Sequence, residues 1–417
     1  MNLEYKKNTL HFSGVSIKEV AKKHKTPFYL YSEEILSENY LDFFHGALEA
    51  GLHHPLICFA VKSNSNKEFL KILASLGSGA DIVSGGELLR ALEAGIPANK
   101  IVFSGVGKTA EEIELGLKKG VYSFNIESIE ELELINTLAR KLKKTARICF
   151  RFNPEVESKT HKYISTGNKT HKFGILKRDI LKTLKNKKYW THSRPVGLSI
   201  HIGSQLLDLR ATKKAIERMC ALALESKVNY EFLDVGGGLG IDYHPEETPK
   251  VPKISDYMNM IHQTLEKNYY SQTTNLPRVV FEPGRRISAK TGILVMSVLR
   301  NKVSENNHFT ILDGGMNDMM RPSLYEAYHE IYPVSKSSRK PILSHIVGPI
   351  CETSDLFGTR KIAPMKAGDL VILRDAGAYG YSMGSTYNLR GRPAELLINL
   401  NRKIQEINPA GHYKELK

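Results

Sequence analysis

LICFAVKSN, residues Leu56–Asn64, is an apolar, β-branched run that stops on a lysine. A short continuous apolar run of this kind is the signature of a strand covered on both faces. Seven similar runs follow it: ADIV (80–83), IVFS (101–104), VYSFNI (121–126), RICFRF (147–152), VGLSIHI (196–202), EFLDV (231–235) and RVVFE (278–282). Stretches with helical periodicity, such as Ser84–Ala94 and Ser128–Leu142, stand between them. Strand and helix in alternation require a parallel sheet, because each crossover returns the chain to the same end. Eight strands within residues 34–284 predict an α/β fold of the closed (β/α)8 TIM type, which typically takes about 250 residues. An open, doubly wound sheet is the alternative.

Beyond Arg285 the pattern changes. ISAKTGILVMSVL, HFTILDGG, DLVILRDAG and ELLINLNRK are strand-like and are joined by Gly/Pro turns, with few helix-period stretches among them. HFSGV and PFYLYS, near the start of the chain, are strand-like too. The expected organisation is a barrel of residues 34–284 inserted in a discontinuous all-β domain of residues 1–33 and 285–417.

The composition is that of a globular protein, with 41% hydrophobic and 25% charged residues in 417. A chain this long exceeds what one core comfortably serves, which also favours two domains. The formal net charge is +15, with 59 Lys and Arg against 44 Asp and Glu. Scattered pairs such as Lys22–Lys23 and Lys118–Lys119 carry the excess, so it describes a solvated surface rather than a nucleic-acid footprint. Four cysteines lie far apart with no CxxC pair, so neither a disulfide framework nor a zinc site is expected. No apolar run approaches the ~18 residues of a membrane helix and the start lacks a secretory signal pattern. The expectation is a soluble, cytoplasmic protein with no membrane partner.

In a barrel of this kind the chemistry gathers where strands end. Those positions hold Lys62, Asp81 with Ser84, Ser104, Asn153, His201 with Ser204, Gly236–Gly237–Gly238 and Glu282. Each residue also has an ordinary role: a solvated lysine, a tight glycine turn, a structural histidine, a carboxylate at a helix start. Together they supply an amine able to form a Schiff base, backbone N–H groups for a phosphate, an imidazole to stack on a flat ring and a carboxylate to keep a pyridine nitrogen protonated. Those are the parts that pyridoxal 5'-phosphate needs.

FAVKSN, HIGSQ, DVGGGLG, FEPGR, MNDMMRP, CETSD and GAYGYSMGSTYN occur in the order found in diaminopimelate decarboxylases, which the chain resembles from about Thr26 to Glu395. THKYISTGNKTHKFGI (160–175) resembles that family as well. The resemblance implies a fold-type III pyridoxal-phosphate enzyme with an alanine-racemase-like barrel and a β domain. It implies Lys62 as the Schiff-base lysine and His201 stacked on the ring. Ser204, Gly236–Gly238 and the Pro283–Gly284 turn would hold the phosphate, and Glu282 would meet the ring nitrogen. Asp81 and Tyr379 would complete the cofactor site.

Substrate would be bound by Arg285, which also borders the cofactor, and by Arg321, Tyr325, Glu352 and Tyr379. Cys351 would donate a proton across a homodimer with a shared active site. Taken singly, the arginines could be surface ion pairs, Cys351 a small buried hydrophobe and Tyr379 a packed aromatic. CETSD stands where CESSD is usual, and Met319–Met320 where Leu-Met is, and neither change removes a polar group. The expected reaction is decarboxylation of meso-2,6-diaminopimelate to L-lysine and carbon dioxide, the last step of lysine biosynthesis. Alternatives are an ornithine- or arginine-type decarboxylase of the same fold, or a non-catalytic cofactor-binding relative.

Overall fold

The computed structural model describes residues 2–156, 172–244 and 251–412. The chain forms two compact units, Tyr40–Ile241 with Pro249–Arg286, and Met1–Asn39 with Asp242–Thr248 and Ile287–Lys417. Of the segment 160–175 singled out above, only residues 172–175 lie among the described residues.

The first unit is the expected barrel. Its eight parallel strands are Leu56–Ala60, Gly79–Ile82, Ile101–Phe103, Ser123–Ile126, Ala146–Arg151, Ser193–Ser199, Phe232–Asp234 and Arg278–Phe281. They pair in chain order, and the eighth closes on the first with Val280 opposite Leu56 and Phe281 opposite Ile57. Leu56, Cys58, Val102, Cys149, Val196, Phe232 and Val280 fill the barrel with one apolar cluster. Burying side chains of this size is worth about 1.5–3 kcal/mol for each of the larger ones. Phe232 fits because Gly197 lies beside it; a Cβ on Gly197 would come within 2.4 Å of the ring.

The turns after the first four strands start helices in the same way. Asn66, Ser84, Thr109 and Ser128 each accept a backbone N–H of the first helical turn, and Thr109 with Glu112 forms a full capping box. Such caps contribute about 1 kcal/mol each and fix where each loop ends. Ser84 therefore serves as a helix cap, and its strand-end position needs no chemical role.

The sixth strand begins three residues before the expected Val196 and ends before Ile200. Pro195 has no N–H for the ladder, and the pairing with the fifth strand shifts register between Pro195 and Gly197. The strand continues across a proline that the sequence pattern treats as a boundary.

In the second unit, Phe28–Ser32 is wholly buried and lies between two partners in a nine-stranded sheet. It pairs antiparallel with Gly292–Ser304 and parallel with Ala394–Ile398. The more N-terminal strands Leu3–Lys6, Thr9–Phe12 and Val15–Ser16 form a small sheet of their own. It is tied to the rest of its unit by the Leu10 N–H, which donates to the Val334 carbonyl at 2.7 Å. The expected strand at ISAKT is instead a short helix, Arg285–Ser288, followed by a 3-10 turn, Ala289–Thr291. Among the described residues no helix is long and apolar enough to cross a membrane.

Candidate active site

Lys62 lies in a 3-10 turn, Val61–Ser63, directly after the first barrel strand. Its Nζ lies 2.8 Å from Oδ2 of Asp81, a fully buried residue of the second strand. The other oxygen, Asp81 Oδ1, is buried with no hydrogen-bond partner. A buried carboxylate oxygen left unsatisfied costs about 1–3 kcal/mol or more, so its persistence marks a place where a polar ligand atom belongs.

Glu282 follows the eighth strand and is buried. Its Oε1 accepts from Asn125 Nδ2 at 3.2 Å and from Ser104 Oγ at 3.4 Å. Asn125 also faces Asp234 Oδ2 at 3.5 Å, and Asp234 Oδ1 accepts the Gly236 N–H at 2.8 Å. Burial, and then the Asp234 and Asp81 carboxylates, push Glu282 well above the ordinary glutamate range, while Lys62 pulls it down. Burial likewise pushes Asp234 up to about 7. Burial and mutual repulsion disfavour charge on both carboxyls, and a cationic N–H against Glu282 would favour its charged form. A protonated pyridine nitrogen is such a group.

His201 follows the sixth strand. Its Nδ1 accepts the Gly237 N–H at 3.3 Å, so the proton of the neutral ring sits on Nε2. Desolvation, with Arg151 and Lys62 as positive neighbours, lowers its pKa well below the usual value. The ring is thus neutral and suited to stacking on an aromatic face.

The glycine run leaves no room for side chains. A Cβ on Gly236, Gly237 or Gly238 would fall 2.2, 2.1 and 2.3 Å from the carbonyl oxygens of Ile200, Glu282 and Gly203. Gly236 and Gly238 also take positive φ, +70° and +101°. Ser204 Oγ accepts from Arg285 Nη2 and Nε at 3.2 and 3.4 Å, so those two predicted site residues meet. A Cβ on Gly284 would fall 3.1 Å from the side chains of Ala60 and Ser63, and the Pro283 carbonyl accepts the Ala60 N–H at 3.1 Å. Lys62, Ser104, Asn125, Arg151, His201 and Glu282 all line one cavity of about 230 Å³. Amine, orphan carboxylate oxygen, raised carboxyl, neutral imidazole and bare glycine turn fit pyridoxal phosphate.

The remaining predicted residues lie in the second unit. Arg321 opens the short helix Arg321–Tyr325 and is 5% exposed. Cys351 is exposed, whereas Cys58, Cys149 and Cys220 are buried. Its N–H donates to Asn388 Oδ1 at 3.0 Å, and Glu352 accepts the Tyr387 hydroxyl at 2.5 Å. The buried Asp355 carboxylate accepts the N–H groups of Met316 and Ile350 at 2.6 and 2.7 Å, which pins the CETSD segment. Tyr379 holds φ +58°, a strained conformation for a tyrosine and one that tends to persist at functional sites.

Asn125, Arg151 and Asp234 were not picked out from the sequence. Arg151, at the end of the fifth strand, pairs with Glu127 at 2.5 Å and lies 4.7 Å from the Phe173 ring centroid. All three had one signal in common: a polar side chain inside an otherwise apolar strand, where the alternation points it into the barrel.

Residues 44–289 match the pyridoxal binding domain of the pyridoxal-dependent decarboxylases. Over 415 residues the chain is 41% identical to a diaminopimelate decarboxylase of Aquifex aeolicus, covering 99% of this chain and 95% of that one. It is 43% identical over 397 residues to one from Neisseria meningitidis serogroup A, covering 94% of each. The solved diaminopimelate decarboxylase of M. jannaschii in co-complex with L-lysine superposes with a TM-score of 0.92 at 36% identity, covering 99% of this chain and 96% of that one. The barrel, its glycine turn, the Lys62–Asp81 pair and the match along nearly the whole chain agree: the protein belongs to the diaminopimelate decarboxylase family of pyridoxal-dependent decarboxylases.

Proposed function

We propose that the protein uses pyridoxal 5'-phosphate to remove one carboxylate from meso-2,6-diaminopimelate, yielding L-lysine and carbon dioxide, as the last step of lysine biosynthesis. The observation that carries this reading is the set of Lys62, His201 and buried Glu282 around one cavity. The cofactor, when bound, supplies an aldehyde for the substrate amine and a ring that takes up the electron pair released with carbon dioxide. Lys62 holds the cofactor through its amine, and Asp81 keeps that amine in place. Glu282 accepts the ring N–H, and His201 covers one face. Ser204, Gly236, Gly237, Gly238 and the Pro283–Gly284 turn hold the phosphate through hydroxyl and backbone N–H groups.

Arg285 and Arg321 take the far carboxylate, since guanidinium groups pair with carboxylates bidentately. Tyr325, Glu352 and Tyr379 complete the substrate pocket. Cys351 belongs to the active site of a second copy of the chain, in a cytoplasmic homodimer. There its thiol gives the proton that replaces the lost carboxylate at carbon. The exposure of Cys351 supports that reading, because a donor to another chain must be reachable.

Ornithine and arginine carry a distal cation that a site built around Arg321 repels. Carbon dioxide release measured in parallel on diaminopimelate, ornithine, arginine and lysine tests the proposal. Release from diaminopimelate alone is expected; release from ornithine or arginine at a comparable rate overturns it.

A further inference from the structure

Arg321 Nη1 lies 2.6 Å from Nε2 of His329, a residue with no exposed surface. The other ring nitrogen, Nδ1, lies 2.7 Å from the carbonyl oxygen of Arg374. A carbonyl only accepts, so Nδ1 carries the proton; a guanidinium only donates, so Nε2 presents its lone pair. The two contacts fix one tautomer of a neutral imidazole, which bridges Arg321 to the end of the strand Leu370–Leu373. Tyr243 backs the pair: its ring centroid lies 4.4 Å from the Arg321 guanidinium carbon and 5.1 Å from the His329 ring, edge-on at 68°. The carbonyl end is anchored as well, because Arg374 donates through Nε to Asp375 at 2.7 Å and through Nη2 to the Asp242 carbonyl at 3.2 Å.

We propose that His329 is a positioning residue for substrate recognition, a neutral acceptor that aims the Arg321 guanidinium at the carboxylate remote from the reacting carbon. This rests on the assignment of Arg321 to that carboxylate under the proposed function. Neutrality is what makes the arrangement useful. A carboxylate in place of the imidazole would orient Arg321 equally well, yet it would neutralise the charge the substrate needs and compete for the same donors. A neutral lone pair takes one donor direction and leaves the positive charge for the ligand.

The test is steady-state kinetics with meso-diaminopimelate on the holoenzyme, comparing wild type with Arg321→Ala, His329→Phe, His329→Gln and the Arg321→Ala/His329→Phe double variant. Bound-cofactor absorbance and melting temperature are recorded for each. A hydrogen bond to a charged group is worth about 1.5–3 kcal/mol, so His329→Phe is expected to raise KM roughly ten- to a hundredfold with kcat within about twofold. His329→Gln, which keeps one donor and one acceptor at similar reach, recovers most of that loss. The double variant is no worse than Arg321→Ala alone. If Arg321→Ala raises KM while His329→Phe leaves it at the wild-type value, or lowers kcat instead, the role of His329 is overturned. If Arg321→Ala itself leaves KM unchanged, the substrate assignment beneath it fails. Should the Phe variant not fold, His329→Met makes the same comparison, and a Gln variant as impaired as Met overturns the proposal.

Discussion

Gly237→Ala isolates the contribution of the glycine turn. The new Cβ would sit 2.1 Å from the Glu282 carbonyl oxygen and 2.9 Å from its carbonyl carbon. Ordinary carbon–oxygen contacts are about 3.3 Å, so the two segments must part by about 1 Å. The obstacle is backbone and cannot rotate away. The Glu282 N–H also donates to the Gly236 carbonyl at 2.9 Å, so separation stretches that bond too. Overpacking costs about 1–3 kcal/mol and the weakened hydrogen bond about 1 kcal/mol, giving roughly 2–4 kcal/mol. Because Glu282 is the displaced residue, the strain also moves the carboxylate assigned to the ring nitrogen. Denaturant unfolding of the cofactor-free protein measures the first effect; titration with pyridoxal phosphate, followed by visible absorbance, measures the second. We expect the stability loss just given and at least tenfold weaker cofactor binding. Gly107→Ala is the control, since its Cβ would meet nothing within 4 Å, and it is expected to stay within about 0.5 kcal/mol of wild type. A Gly237→Ala protein as stable as this control, with wild-type cofactor affinity, would refute the reasoning.

Lys62→Ala is expected to abolish both the visible imine absorbance and carbon dioxide release; keeping either one contradicts its role. Cys351→Ala should retain cofactor absorbance while turnover falls at least a hundredfold, and wild-type turnover would remove the thiol as proton donor. The raised carboxyls make a pH prediction for the cofactor-free protein. Burial pushes Asp234 up to about 7 in the folded state, against the ordinary aspartate value when unfolded, so between about pH 4 and 7 the folded state binds more protons. Its contribution to stability is therefore greatest at low pH and declines as pH rises through that window. Asp234→Asn should flatten that part of the profile measured by denaturant unfolding, and an unchanged slope would show that Asp234 is ionised throughout.

The barrel was readable because burial on both faces writes itself as eight predominantly apolar runs, and the side chains at their ends follow from the register. Lys62, Asp81, His201 and Glu282 were visible for that reason. Asn125 and Asp234 were less so, since one polar residue within a strand carries no period. His329 was invisible: it lies outside the quoted motifs, and only the folded chain shows that its ring links Arg321 to a strand end. The misread bounds have equally local causes, a proline tolerated at a register shift in the sixth strand and a helix begun by Arg285 where apolar spacing suggested extension.

The burial of Phe28–Ser32 between Gly292–Ser304 and Ala394–Ile398 has a consequence for the order of synthesis. The first of the nine strands to leave the ribosome is paired on both sides by segments made far later. The entropy of closing so long a loop grows only logarithmically with its length, so equilibrium tolerates the delay. Time does not: until both partners emerge, FYLYS is an unpaired apolar edge while the barrel strands are already being assembled. A product truncated before Ala394 would keep every barrel strand and still expose that edge. The downstream strands thus decide whether an upstream one is hidden, and a chain cut between them advertises its defect in a segment made long before the cut.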